Sequence, residues 1–157
     1  MKQVFERLRI RARSLLQGRP APASPADPVI LALLAGQSDR DLLRSAARNH
    51  QWSIAFADSG AEAQTLLAST QAPIALCDRD ALASNWRPAI EELAACSRHT
   101  CILLISSVAD DYLWNEVVRH GGYDVLSKPL QHDELVRAVK LAWTYSSRAM
   151  RNVPSTK

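Results

Sequence analysis

The sequence predicts an α/β domain, a doubly wound sheet of five parallel strands with helices on both faces, and three observations carry that prediction. Short apolar runs such as Val29–Leu34, Ile74–Cys77 and Cys101–Ile105 have the length and composition of buried strands. Longer segments with helical spacing of apolar residues lie between them, and strand–helix alternation of this kind specifies a parallel sheet covered on both sides. Finally, three of the strand patterns stop on a polar side chain: Asp78, Ser106 and Lys128. In such a sheet the ligand crevice lies outside the carboxyl ends of the strands. A carboxylate, a hydroxyl and an ammonium are therefore delivered to one edge, where they suit a phosphoryl group.

The elements follow in order. Residues 1–19 read as a basic amphipathic helical arm, with Val4, Phe5, Leu8, Ala12, Leu15 and Leu16 on one face and Lys2, Arg7, Arg9, Arg11 and Arg13 beside or opposite it. Residues 20–28, rich in Pro and Ala, form a stiff linker. A domain spans 29–150, and 151–157 is a disordered tail. Val29 to Leu34 is the first strand. Ser38 or Asp39 caps the helix after it, which turns Leu42, Leu43, Ala46 and Ala47 inward. Trp52 to Ala57 is the second strand, and Asp58-Ser59-Gly60 opens a helix bearing Ala63, Leu66 and Leu67. The third strand ends at Asp78. Pro88 fits the first turn of the next helix. The fourth strand ends at Ser106-Ser107, and Asp110 or Asp111 starts a helix that Gly121-Gly122 stops. Trp114 on that helix and Trp143 on the last fall on inward faces. Tyr123 to Ser127 is the fifth strand, and the last helix begins near His132 or Asp133. Right-handed crossovers and the commonest small arrangement give the order 2-1-3-4-5, which is flavodoxin-like. On this reading the ends of strands one, three and five lie side by side.

Bulk properties narrow the function. Of 157 residues, 47% are apolar, enough for one domain with a core. The net charge of +3 is uneven: residues 1–20 hold six Lys or Arg against one Glu, leaving residues 21–157 with thirteen against fifteen. The domain is thus slightly acidic, and DNA binding by it has no electrostatic support. Cys77, Cys96 and Cys101 lack disulfide or metal spacing and point to a reducing cytoplasm. No signal peptide or membrane span is expected. The four histidines are scattered and read as surface residues. With no nucleophile–base pair, glycine-rich phosphate loop or flavin-phosphate turn, an enzyme is not expected.

The set formed by Asp78, Ser106, Gly121 and Lys128-Pro129, with 22 residues from Ser106 to Lys128, resembles the receiver domains of bacterial two-component response regulators, the CheY-like family. The resemblance spans about residues 28–147. It implies that Asp78 is the phosphoacceptor, taking a phosphoryl group from a phosphohistidine as an acyl phosphate. Ser106 and Lys128 would bind the phosphoryl oxygens. It also implies a cis Lys128-Pro129 bond, a sensor histidine kinase or phosphotransfer protein as donor, and a downstream protein target. The partner surface would comprise Trp114, Tyr123 and Val125, the face of the fourth helix and fifth strand, with homodimerisation left open.

The chain also departs from that pattern. The acidic pair that holds Mg²⁺ in the family is replaced by Leu34 and Ala35. Mg²⁺ usually binds through one or two carboxylates, so with Asp78 and a weak contribution from Asp80 its affinity falls steeply. Asp39 and Asp41 lie on the first helix, too far along to reach. The aromatic switch position holds Val125, and Leu82 and Trp86 replace a proline and a glycine after the acceptor, with Trp86 read as a lid packed over the loop or, in second place, a partner contact. The expectation is an atypical, stand-alone receiver that signals through protein contacts. Its rivals are a pseudo-receiver acting as a scaffold or dimerisation module, and a domain brought to a membrane or nucleic acid by residues 1–19.

Overall fold

The computed structural model describes residues 27–82 and 84–152. The arm, most of the linker and most of the tail lie outside them. The elements are β1 (Val29–Leu33), α1 (Gln37–His50), β2 (Ser53–Phe56), α2 (Gly60–Thr70), β3 (Ile74–Asp78), a 3₁₀ turn (Arg79–Ala81), α3 (Trp86–Cys96), β4 (Cys101–Ser106), α4 (Asp111–Arg119), β5 (Asp124–Ser127) and α5 (His132–Arg151). All strand pairs are parallel, in the order β2-β1-β3-β4-β5. The expected fold class and order are the observed ones. One detail differs: β4 stands between β3 and β5, so the ends of strands one, three and five are not all neighbours.

Side chains alternate across the sheet as the strand period requires. Ile30, Ala32, Ile74, Leu76, Leu103 and Ile105 face α1 and α5, packing on Leu43, Ala46, Leu135 and Val139. Leu31, Leu33, Ala75, Cys77, Ile102 and Leu104 face the opposite layer, against Leu67 of α2, Ile90 and Leu93 of α3 and Val117 of α4. Each fully buried Leu or Ile contributes about 1.5–3 kcal/mol, so the two layers hold the strand ends rigidly. Burial, helped by the charge of Asp78, pushes the Cys77 thiol up to about 12, and burial pushes that of Cys101 to about 11.

Helix starts decide where polar residues point. Ser59 accepts from the Glu62 N–H at 3.1 Å, and Asp110 accepts from the Leu113 N–H at 2.8 Å, each satisfying a donor that the helix cannot. Neither Ser38 nor Asp39 caps α1. The chain turns into that helix at the extended Gly36, and Asp39 falls in the first helical turn. At the other end of the molecule Gly121 has φ +100°, and a Cβ there would sit 2.9 Å from the Ala94 Cβ. Glycine is needed both for the backbone and for the space. Among the described residues no helix is long and apolar enough to cross a membrane.

Trp143 packs partly buried against the α1–α5 core, as expected, and Trp86 is 3% exposed, closing the opposite layer as the lid reading has it. Trp114 does not face inward: it is 45% exposed. Leu113 and Val117 are the residues that α4 buries, which rotates position 114 to the rim of the helix.

Candidate functional site

Asp78 closes β3 with no exposed surface. A buried, unpaired carboxylate would cost several kcal/mol, and the surroundings remove that cost. The ammonium of Lys128 lies 2.8 Å from Asp78 Oδ2. The Ala35 N–H, at the end of β1, donates to the same oxygen at 3.2 Å. The Asp80 N–H, in the 3₁₀ turn, donates to Oδ1 at 2.9 Å. Lys128 reaches Asp78 past the end of β4, and its own N–H is fixed to the Ser106 carbonyl at 3.0 Å. The Lys128-Pro129 bond is cis. Burial would lower the Lys128 pKa, but hydrogen bonds and charge from Asp78 and Asp80 prevail, so it lies above the usual lysine value.

Ser106 ends β4 opposite Ser127 of β5 and one residue beyond Ile105, the register partner of Asp78. It is 2% exposed. Its oxygen accepts from the Val108 N–H at 3.2 Å, a bond that leaves the hydroxyl proton for another acceptor. The structure thus brings the side chains of Asp78, Asp80 and Lys128 together and sets Ser106 on the adjoining strand end.

Asp80, expected as a weak metal ligand, is 2.9 Å from the Lys128 ammonium. Burial raises the Asp39 pKa; the charge of Lys128 opposes that rise and that of Asp78 adds to it. Mg²⁺ asks for near-octahedral oxygen ligands at roughly 2.0–2.1 Å. Here the β1 end offers the buried Leu34 and the Ala35 amide, and Asp78 and Asp80 both engage an ammonium. Among the described residues no group of three or more His, Cys, Asp or Glu is placed to hold a metal ion. The residues present do not fit Mg²⁺.

A second region lies along β5. Trp114, Leu141 and Tyr145 are exposed there. A cavity of about 350 Å³ opens there, lined by Asp124, Val125, Glu134, Arg137 and Leu141 among others. The Trp114 indole N–H donates to Asp124 Oδ1 at 3.1 Å. Of the expected partner residues, Trp114 is exposed, whereas Tyr123 and Val125 are half-buried. Tyr123 pairs with Tyr145 at 5.2 Å between ring centroids. Burial raises its pKa above the usual tyrosine value.

Sequence reasoning missed one cluster altogether. His120, expected to be a plain surface residue, has Nδ1 2.5 Å from Glu91 Oε1 and its ring edge-on to Trp86 at 6.0 Å. The Arg87 Nε–H donates to Glu116 at 2.9 Å. That hydrogen bond leads the causes that lower the Glu116 pKa. These contacts tie α3 to α4 through residues nearly thirty positions apart, a separation with no local sequence signal.

No protein-family model matches the sequence, and no curated protein matches it. Solved structures do. The signal receiver domain of an HD domain-containing protein from Pseudomonas fluorescens superposes with TM-score 0.74 at 19% identity, covering 86% of this chain and 99% of that one. The chemotaxis protein CheY4 of Vibrio cholerae gives 0.67 at 16%, covering 74% and 99%. A two-component response regulator from Clostridium difficile gives 0.65 at 18%, covering 75% and 97%. The fold is that of the CheY-like receiver domains of response regulators.

Proposed function

We propose that the chain is a receiver in a bacterial two-component phosphorelay and that Asp78 is its phosphoacceptor. One observation carries the reading: on a receiver fold, a wholly buried carboxylate at the carboxyl edge of the central strand has a lysine ammonium 2.8 Å away. In the transfer an Asp78 oxygen attacks the phosphorus of a phosphohistidine, the P–N bond breaks and the imidazole leaves, giving an acyl phosphate. Carboxylate and phosphoryl group are both negative, so fixed donors must offset their repulsion. Lys128 supplies charge, the Ala35 and Asp80 amides orient the carboxylate, and the Ser106 hydroxyl is at hand for a phosphoryl oxygen. The donor is a sensor histidine kinase or a phosphotransfer protein, which carries a cytoplasmic location with it. Output passes through the flank of β5, where Leu141 lines the cavity, Trp114 and Tyr145 are exposed, and a protein target would cover them.

The test is incubation with acetyl phosphate followed by intact-mass measurement. Wild type should gain one phosphoryl group, labile to hydroxylamine as an acyl phosphate is, and Asp78→Asn should gain none. Equal labelling of the two proteins would remove Asp78 from the reading.

A further inference from the structure

Two carboxylates meet at the notch, Asp78 and Asp80, and one side-chain ammonium is placed against both. Lys128 Nζ is 2.8 Å from Asp78 Oδ2 and 2.9 Å from Asp80 Oδ2. Bridging two carboxylates is the task a bound divalent ion performs in a site of this kind. Here it falls to a cation that cannot diffuse away, since Lys128 is bonded through its backbone N–H to the end of β4. Its side chain is 21% exposed, so the charge is only partly shared with water.

We propose that Lys128 is the resident cation of this pocket: its ammonium, bridging Asp78 and Asp80, fills the place a divalent metal would need, and the acceptor site works without one. The assignment deepens the phosphoacceptor reading, and its second half rests on that reading. Two arguments support it. A metal would have to displace the ammonium from both carboxylates, uncovering the buried Asp78 while it moved. The β1 end supplies it with no carboxylate, because Leu34 and Ala35 stand there.

The experiment uses the full chain and Mn²⁺ as the probe, with paramagnetic broadening of amide NMR signals as the readout. In wild type, signals of Ala35, Asp78 and Asp80 should broaden no more than those of exposed acidic residues elsewhere, through the millimolar range. Lys128→Gln, which frees both carboxylates, should broaden those three signals at Mn²⁺ concentrations at least about tenfold lower. Selective broadening in wild type would overturn the proposal, and so would a folded Lys128→Gln that gains nothing. Should that variant fail to fold, wild type still decides through a second measurement. Labelling by acetyl phosphate should proceed within about twofold at the same rate in EDTA and in Mg²⁺, and labelling that needs Mg²⁺ would overturn metal independence. Absence of labelling in both buffers would defeat the phosphoacceptor reading, and with it metal-free acceptance, while the bridging role of Lys128 would still be judged by Mn²⁺.

Discussion

The notch around Asp78 and the flank of β5 lie on the same scaffold but are finished differently. In the notch both oxygens of a fully buried carboxylate have donors, three in all: an ammonium and two backbone amides. On the flank, Leu141 and Tyr145 are each 58% exposed and Trp114 is 45% exposed. Burying such side chains is favourable, and large exposed apolar patches mark interaction sites. The notch satisfies its buried charge within one chain, whereas the flank leaves apolar surface open to solvent.

If the contrast is real, substitutions in the two regions should differ sharply in their effect on folding. Lys128→Met leaves the buried Asp78 with backbone donors alone and should cost about 3–5 kcal/mol in urea unfolding. Because the Lys128 pKa is raised in the folded state, the stability it confers is fully present below 10.5, the ordinary lysine value, and is lost as pH climbs through the folded value. The gap between wild type and Lys128→Met should thus stay level through neutral pH and close only in strong alkali.

Gly121→Ala acts on the turn that carries the chain from α4 into β5. Positive φ and a 2.9 Å clash with Ala94 should together cost roughly 2 kcal/mol by thermal or urea unfolding. A neutral outcome would mean that the flank is not rigidly positioned, which would weaken the contrast.

Trp114→Ala should lower stability by less than about 1 kcal/mol and leave acetyl phosphate labelling of Asp78 unchanged. It loses one hydrogen bond, to Asp124, and surface that is already partly wet. A loss as large as that of Lys128→Met would show that the flank is core in disguise.

The smallest effect is expected at Asp39. Its raised pKa means that folding favours the protonated carboxyl, so the ionised form weighs against stability above its folded pKa and that penalty disappears as pH falls. Asp39→Asn should stabilise the protein at neutral pH by roughly 0.3 kcal/mol, a value kept low by solvent screening. The gain should vanish below 3.8, the ordinary value for this carboxyl.

The architecture was legible because buried strands announce themselves. The runs ending in Asp78, Ser106 and Lys128 are apolar, short and bounded, and a parallel sheet sends their ends to one edge. The helix starts at Asp58-Ser59-Gly60 and at Asp110 or Asp111 were also readable, being local, and Ser59 and Asp110 are the capping residues. What escaped was helix phase. A cap at Ser38 or Asp39 starts α1 two or three residues late; the helix begins at Gln37, and Asp39 falls in its first turn. Trp114 was judged inward because 113, 114, 117 and 118 form one stripe on a helical wheel, but the sheet takes only Leu113 and Val117 from it. The partners of His120 and Arg87 were invisible for a different reason: each is 29 residues away, and only the packed layers bring them together.

The two buried thiols give the fold an internal clock. Cys77 and Cys101 sit on adjacent central strands, and with ionisation pushed to about 12 and about 11 they present almost no thiolate near neutrality. An alkylating reagent must then wait for the sheet to part before it reacts with either, so the pace of modification counts openings of the native state. Run on a protein carrying the acyl phosphate and on one without it, that count would report whether the modification tightens the sheet or loosens it.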